Sequence, residues 1–113
     1  MTATAQKETV ADFKKAVNMS TARLEKWLAT DESKAVGYKG SGGESVGHRS
    51  GRRIIKLLGK KQDDLTEGDL RHMRKVVGYV HRHLAQRPSG DVSDTPWRYS
   101  LMNWGHDPSS KRS

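Results

Sequence analysis

The sequence contains no cysteine, and aromatic residues make up only 6% of its 113 residues. The missing cysteine excludes disulfides, thiolate metal ligands and a cysteine nucleophile, and it fits a cytoplasmic protein. No hydrophobic run approaches the roughly 20 residues that span a bilayer, and the first residues lack the apolar block of a signal peptide. We therefore expect a soluble, cytoplasmic protein that has no membrane partner.

Hydrophobic residues are scarce as well, at 33% with a mean hydropathy of −0.87. A chain of this length and composition predicts one domain with a small core. We expect that domain over residues 9–108, between disordered segments at 1–8 and 109–113. Because no segment alternates with the β period, the predicted fold class is all-α, a small bundle of about five helices.

Apolar spacing and capping residues locate those five helices. Ser20, Ser45 and Thr95 are expected N-caps, and Thr66 with Asp69 forms a capping box. Residues 31–43 are rich in glycine and predict a loop. The expected helices lie at residues 9–17, 21–30, 45–59, 67–86 and 96–103, with the third and fourth as a long antiparallel pair on which the others pack.

The last expected helix has an apolar face, because Trp97, Leu101 and Trp104 are spaced i, i+4, i+7. That spacing predicts a short C-terminal helix docked on the core as a lid. Gly105 would then supply the left-handed residue that ends the helix. The functional alternative is an exposed platform for nucleic-acid bases formed by Trp97, Tyr99 and Trp104.

Acidic residues are few in the middle of the chain, where almost all of the net charge of +8 is found. Residues 35–90 contain twelve basic and five acidic side chains, giving +7. Such a local excess of positive charge attracts polyanions.

Two helix faces carry this charge. On a helical wheel, five side chains of the third expected helix and its end fall on one side, with no acid between Glu44 and Asp63. We call them the first basic stripe: Arg49, Arg52, Arg53, Lys56 and Lys60. The fourth expected helix carries a second basic stripe of Arg71, Lys75 and Arg82. Between these, Gly78 is expected to open a gap for a phosphate, and Tyr79 to bond a phosphate or stack on a base.

The sequence shows little sign of a catalytic site or a metal-binding site. The helical histidines lack the i, i+3 or i, i+4 spacing of zinc ligands, so we expect no metal or other cofactor. The segment GGESVGHR, residues 42–49, has the glycine spacing of a phosphate-binding loop but lacks its Lys and Ser/Thr. No facing pair of carboxylates is apparent. We expect a protein that is not an enzyme and that has no small-molecule substrate.

Three segments of the sequence, SGRRIIKLL, HMRKVVGYVHRHLAQRP and SLMNWGHDP, preceded by LEKWLATDESKAVG, resemble a family of short bacterial and fungal proteins of unknown function. Some members of that family are labelled DNA-binding. The resemblance covers about residues 13–108 and implies no catalytic residues. The fungal members have a longer, Lys-rich insert before the last segment, which this chain lacks.

The expected function is therefore nucleic-acid binding, with duplex DNA favoured over RNA and with weak or no sequence specificity. The expected contact residues are the two basic stripes and Tyr79. In a bacterium this would place the protein at the nucleoid. The alternative is an interaction module that docks an acidic protein partner. The sequence leaves the oligomeric state open.

Overall fold

A computed structural model describes residues 3–37 and 44–109 of the chain, which form an all-helical domain. Six α-helices follow one another without a strand in this described part. They are α1 (Ala3–Ala16), α2 (Thr21–Leu28), α3 (Asp31–Ala35), α4 (Val46–Leu58), α5 (Glu67–Leu84) and α6 (Pro96–Asn103), and a single 3₁₀ turn lies at Gln62–Asp64. The expectation of a small all-α bundle is confirmed. None of the described helices is long and apolar enough to cross a lipid bilayer.

The expected N-caps are all present. The hydroxyl oxygens of Ser20, Ser45, Thr66 and Thr95 each accept a backbone N–H three residues ahead. At the start of α5 the capping box is reciprocal: Asp69 N–H donates to Thr66 Oγ1 at 3.1 Å, and Thr66 N–H donates to the Asp69 carboxylate at 3.0 Å. Local hydrogen bonds readable from the sequence therefore begin four of the six helices.

Two boundaries differ from the expectation. Helix α1 begins at Ala3, so residues 3–8 belong to the first helix instead of preceding it. The expected loop at 31–43 begins with helix α3, which Thr30 caps by accepting the Ser33 N–H. Only Ser33 of its five residues is buried, so α3 has no apolar periodicity that the sequence could reveal. Residues 38–43 of that expected loop, residues 1–2 and residues 110–113 lie outside the described residues.

The helices pair in a different way from the one expected. Helix α1 packs most closely on α5, and α2 on α4. The expected pair, α4 and α5, is joined mainly by side chains, as where Ser50 Oγ and His72 Nε2 lie 2.9 Å apart. The core enclosed by these helices includes Phe13, Leu24 and Ile54, all at most 1% exposed.

Small residues on α4 explain this pairing. Gly47, Ser50 and Gly51 are buried together with Ile54 and Leu57. A Cβ added at Gly51 would lie 2.5 Å from the Asn103 carbonyl oxygen and 2.8 Å from Leu28 Cδ2. The buried face of α4 is therefore shaped by missing side chains, which allow α2 and α6 to approach its backbone.

Candidate nucleic-acid interface

The first basic stripe lines an open groove of about 320 Å³ on the surface of α4. The capped start of α4 and its buried Ile54 and Leu57 turn the opposite face of the helix outward. All five stripe residues are exposed, and all five line the groove: Arg49, Arg52, Arg53, Lys56 and Lys60. The structure thus brings together the residues that the sequence assigned to one face.

Glu44 neutralises part of this stripe from one end. Arg52 Nε donates to Glu44 Oε2 at 2.7 Å, Arg52 Nη2 donates to the other carboxylate oxygen, and Arg49 Nε lies 3.7 Å away. The hydrogen bonds from Arg52 lower the pKa of Glu44 to about 2, and His48 acts in the same direction against burial. Glu44 is therefore ionised at neutral pH, and its two oxygens bind Arg52 as those of a phosphate group would.

Asp69 neutralises the other end. Its carboxylate accepts Lys60 Nζ at 2.7 Å and Arg53 Nη2 at 3.3 Å while it also completes the capping box of α5. The hydrogen bonds from Lys60 and from the Thr66 backbone hold the pKa of Asp69 well below its usual range. The sequence showed no acid between Glu44 and Asp63 within the stripe. The structure places the carboxylates of Glu44 and Asp69 against its two ends, where they offset part of the charge.

The second basic stripe extends the positive surface from α4 onto α5. A shallow concavity beside the groove is lined by Arg53, Arg71 and Lys75, so Arg53 belongs to both depressions. Lys75 also lines a third depression together with Arg82. The two stripes therefore form one continuous surface. Within the described residues, no carboxylate pairs with Lys56 or with any member of the second stripe.

Gly78 and Tyr79 differ from their expected roles. A Cβ at Gly78 would lie 3.2 Å from Arg82 Nη1, so the guanidinium of Arg82 covers the gap that we expected to be open to a phosphate. The Tyr79 ring lies nearly parallel to the rings of Trp104 and His83, with centroids 4.3 and 5.1 Å away. These contacts occupy much of the ring that we expected to be available to a base.

These three rings belong to a longer row of aromatic side chains between α5 and α6. His72 stacks on Trp104, and His83 stacks on Trp97. Burial lowers the pKa of His72 to about 4, with Arg53 and Lys75 acting in the same direction, and burial also lowers the pKa of His83. Both imidazoles are therefore neutral at physiological pH and act as packing residues.

The histidines do not come together as metal ligands in the described part of the chain, where no cluster of three ligand-type side chains is found. His48 bonds to Glu44 and to the Leu28 carbonyl oxygen. His72 lies beside Ser50, and His106 donates from Nδ1 to the Ala16 carbonyl oxygen at 2.7 Å. Each of these three has a structural partner of its own.

The C-terminal segment is a lid on the core, as its spacing predicted. Trp97, Leu101 and Trp104 are at most 9% exposed. The ring centroid of Tyr99 lies 5.4 Å from that of Trp27, so Trp97, Tyr99 and Trp104 do not form an exposed platform on which bases could stack. Gly105 has a φ of +82°, and the N–H groups of Gly105 and His106 donate to the carbonyl oxygens of Met102 and Leu101. This is the Schellman arrangement that ends a helix. We call α6 together with residues 104–109 the C-terminal cap.

Buried polar residues fasten this cap. Asn103 is 1% exposed, and its Oδ1 accepts Trp27 Nε1 at 2.8 Å and the Ser33 hydroxyl. Asp107 is equally buried and accepts Arg98 through both carboxylate oxygens at 3.1 Å, as well as Arg23. Burial opposes ionisation of Asp107, but the hydrogen bonds from Arg98 and the Ser109 backbone, together with the charges of Arg98 and Arg23, outweigh burial and lower the pKa below its usual value. The sequence did not reveal these buried contacts, since the partners on α2 and α3 are 70–84 positions away.

These observations define a small all-helical domain. Buried polar contacts hold its C-terminal cap in place, and one side of it carries a continuous basic surface. The chain belongs to the family described as "Protein of unknown function (DUF3140)", whose model matches residues 12–102. No curated protein and no solved structure shows a significant match to it.

Proposed function

We propose that this protein binds nucleic acid, most favourably duplex DNA, through phosphate contacts from the two basic stripes. The supporting observation is the groove on α4, in which five cations from α4 and its C-terminal end converge, while two carboxylates among the described residues offset part of their charge. A duplex carries one negative charge per roughly 1.7 Å of axis, so it can meet a row of cations along a whole helix face.

Continuity between the stripes strengthens this proposal. Lys56, Arg71, Lys75 and Arg82 pair with no carboxylate in the described residues, and they lie on either side of Arg53 on the same surface. Such unpaired surface cations gain energy when they release counterions from a phosphate backbone. Phosphate contacts position a protein on DNA without reading its bases, so sequence specificity should be weak.

The experiment is fluorescence anisotropy with a labelled random-sequence duplex over a series of salt concentrations. Replacing Arg52, Arg53 and Lys56 together with Gln should lower the slope of log K against log salt by roughly two units, at about 0.9 for each phosphate contact of Arg53 and Lys56, because Glu44 already binds Arg52. Replacing Arg71, Lys75 and Arg82 together should lower the slope in the same way. Gln is a good helix former, so both variants should fold.

A matched control removes the same number of charges elsewhere. Lys7, Lys26 and Lys34 are exposed and lie on α1, α2 and α3. Their triple replacement with Gln should leave the slope nearly unchanged. If the slope falls by the same amount in all three variants, binding depends on the net charge of the protein and not on the two basic stripes. If the wild type does not bind duplex DNA at low salt, an acidic protein partner becomes the better explanation of the basic surface.

A further inference from the structure

A pocket of about 280 Å³ lies between the start of α4, the middle of α5 and the end of α6. It is separate from the groove on α4 but shares Lys75 with the continuous basic surface. Its lining includes Val46, Gly47, Lys75, Tyr79, Arg82 and Trp104. This volume is close to the lower end of the range for small-molecule sites, about 300–1,000 Å³.

The walls of the pocket are mainly apolar and aromatic, but they include one free donor. Trp104 Nε1 finds no acceptor within residues 3–37 and 44–109, and it is not shut away from solvent. A Cβ at Gly47 would come within 3.0 Å of this nitrogen, so the glycine leaves space next to the indole N–H. Indole N–H groups usually find a partner when they are buried, which makes this one suited to an acceptor on a ligand.

Two cationic side chains make the pocket electropositive. Lys75 and Arg82 lie on one wall, and neither pairs with a carboxylate in the described part of the chain. A ligand that satisfies the whole pocket therefore has a flat apolar body, a hydrogen-bond acceptor for the indole, and a negative group for the cations. A nucleotide has all three.

We propose that this pocket holds the base of an unpaired nucleotide, whose phosphate contacts Lys75 and Arg82. The inference rests on the proposed function, because both cations also belong to the second basic stripe. It extends that function from phosphate contacts along a duplex to the capture of a single base that is free of its partner. Paired bases inside a duplex cannot reach such a pocket without leaving the stack.

The probe is adenosine monophosphate, and its binding to the full chain is monitored by ¹⁵N-resolved NMR. Its addition should shift the Trp104 indole and the Gly47 amide in a saturable way and leave the Trp27 and Trp97 indoles in place. Inorganic phosphate alone should leave the Trp104 indole unmoved. Val46→Glu should weaken binding at least about tenfold, because it sets a like charge beside the phosphate.

Val46→Glu should still fold, since Val46 is 41% exposed and an acid is favourable in the first turn of a helix. Val46→Gln is the matched control and should bind like the wild type. Equal affinity of the two variants, or an unmoved Trp104 indole at about 10 mM nucleotide, overturns the inference. If nucleotide fails while duplex binding persists, only the pocket is rejected. If nucleotide binds and duplex does not, the stripes are rejected instead.

Discussion

The C-terminal cap and the basic stripes use the same kinds of side chain for opposite purposes. In the cap, the Arg98 side chain is 21% exposed and bonds to both oxygens of the buried Asp107 and to the Ser93 carbonyl oxygen. In the first basic stripe, the Arg49 side chain is 72% exposed and has one carboxylate oxygen at 3.7 Å. One arginine is satisfied by contacts within the fold, and the other is mostly exposed to solvent.

This contrast separates residues that support the fold from residues that are available for binding. A buried charge is tolerated only where hydrogen bonds replace the lost water, as at Asp107. Exposed ion pairs such as Arg52–Glu44 contribute little to stability, because water and salt screen them. Changes in the cap should therefore act mainly on folding, and changes in the stripes mainly on binding.

The largest effect is expected from removing the cap. Truncation after Gly90 deletes Trp97 and Trp104, each worth about 3–5 kcal/mol in a core. It also leaves the aromatic row on α5 and the small-residue face of α4 without their cover. Because a domain of this kind has a total stability of about 5–15 kcal/mol, the truncated chain should not fold cooperatively.

Thermal melting followed by circular dichroism measures this effect. The control is a chain ending at Ser109, which keeps all the cap contacts described for Asn103 and Asp107. That shorter chain should melt like the full one. A cooperative melt of the Gly90 truncation near the wild-type temperature would show that the cap is dispensable for folding.

The sequence predicted those features of the cap that depend on residues close together in the chain. The i, i+4, i+7 spacing of Trp97, Leu101 and Trp104 is an apolar periodicity, and the turn at Gly105 follows from the conformational freedom of glycine. Asn103 and Asp107 could not be foreseen in the same way. They are polar, and their burial depends on partners from α2 and α3 that only the folded chain brings near.

The basic surface shows a similar division. A helical wheel places the five cations of the first stripe on one face, and they line one groove in the structure. The pairing of α4 with α2 and α6 could not be predicted from hydropathy. The buried face of α4 contains the small residues Gly47, Ser50 and Gly51, which do not form a hydrophobic stripe. The carboxylate of Asp69 reaches Arg53 across 16 positions of sequence, so counting acids along the helix underestimated the neutralisation.

Two glycines on neighbouring helices sharpen the comparison. Gly51→Ala would place a Cβ 2.5 Å from the Asn103 carbonyl oxygen, a backbone atom that can move only if the cap shifts. We expect a loss of about 1–3 kcal/mol in the free energy of unfolding, as for other overpacked cores. Duplex binding at a temperature where the variant is still folded should be nearly unchanged.

Gly78→Ala is the matched substitution on the second basic stripe. Its Cβ would meet only the Arg82 guanidinium, at 3.2 Å, and this flexible side chain can move aside. We expect a gain of up to about 1 kcal/mol from the better helix propensity of alanine. Chemical denaturation measures both variants. A loss at Gly78 as large as at Gly51 would contradict the view that the stripe face is not packed.

The smallest expected effect tests whether Glu44 competes with a phosphate for the first basic stripe. Glu44→Gln removes the charge that binds Arg52 in a forked geometry and that also lies near Arg49. Duplex affinity at low salt should then rise about threefold, within the roughly 0.2–1 kcal/mol of an exposed ion pair. The slope of log K against log salt should increase by about 0.9 if Arg52 gains a phosphate.

Glu25→Gln is the control for this change. Glu25 is exposed on α2, so its replacement alters the net charge of the protein by the same amount without freeing a stripe cation. Long-range attraction to DNA increases equally in both variants, whereas a local competitor is removed only in Glu44→Gln. Equal gains in affinity and slope would therefore mean that Glu44 acts only through net charge. A larger gain for Glu44→Gln would mean that its carboxylate occupies the place at which a phosphate binds Arg52.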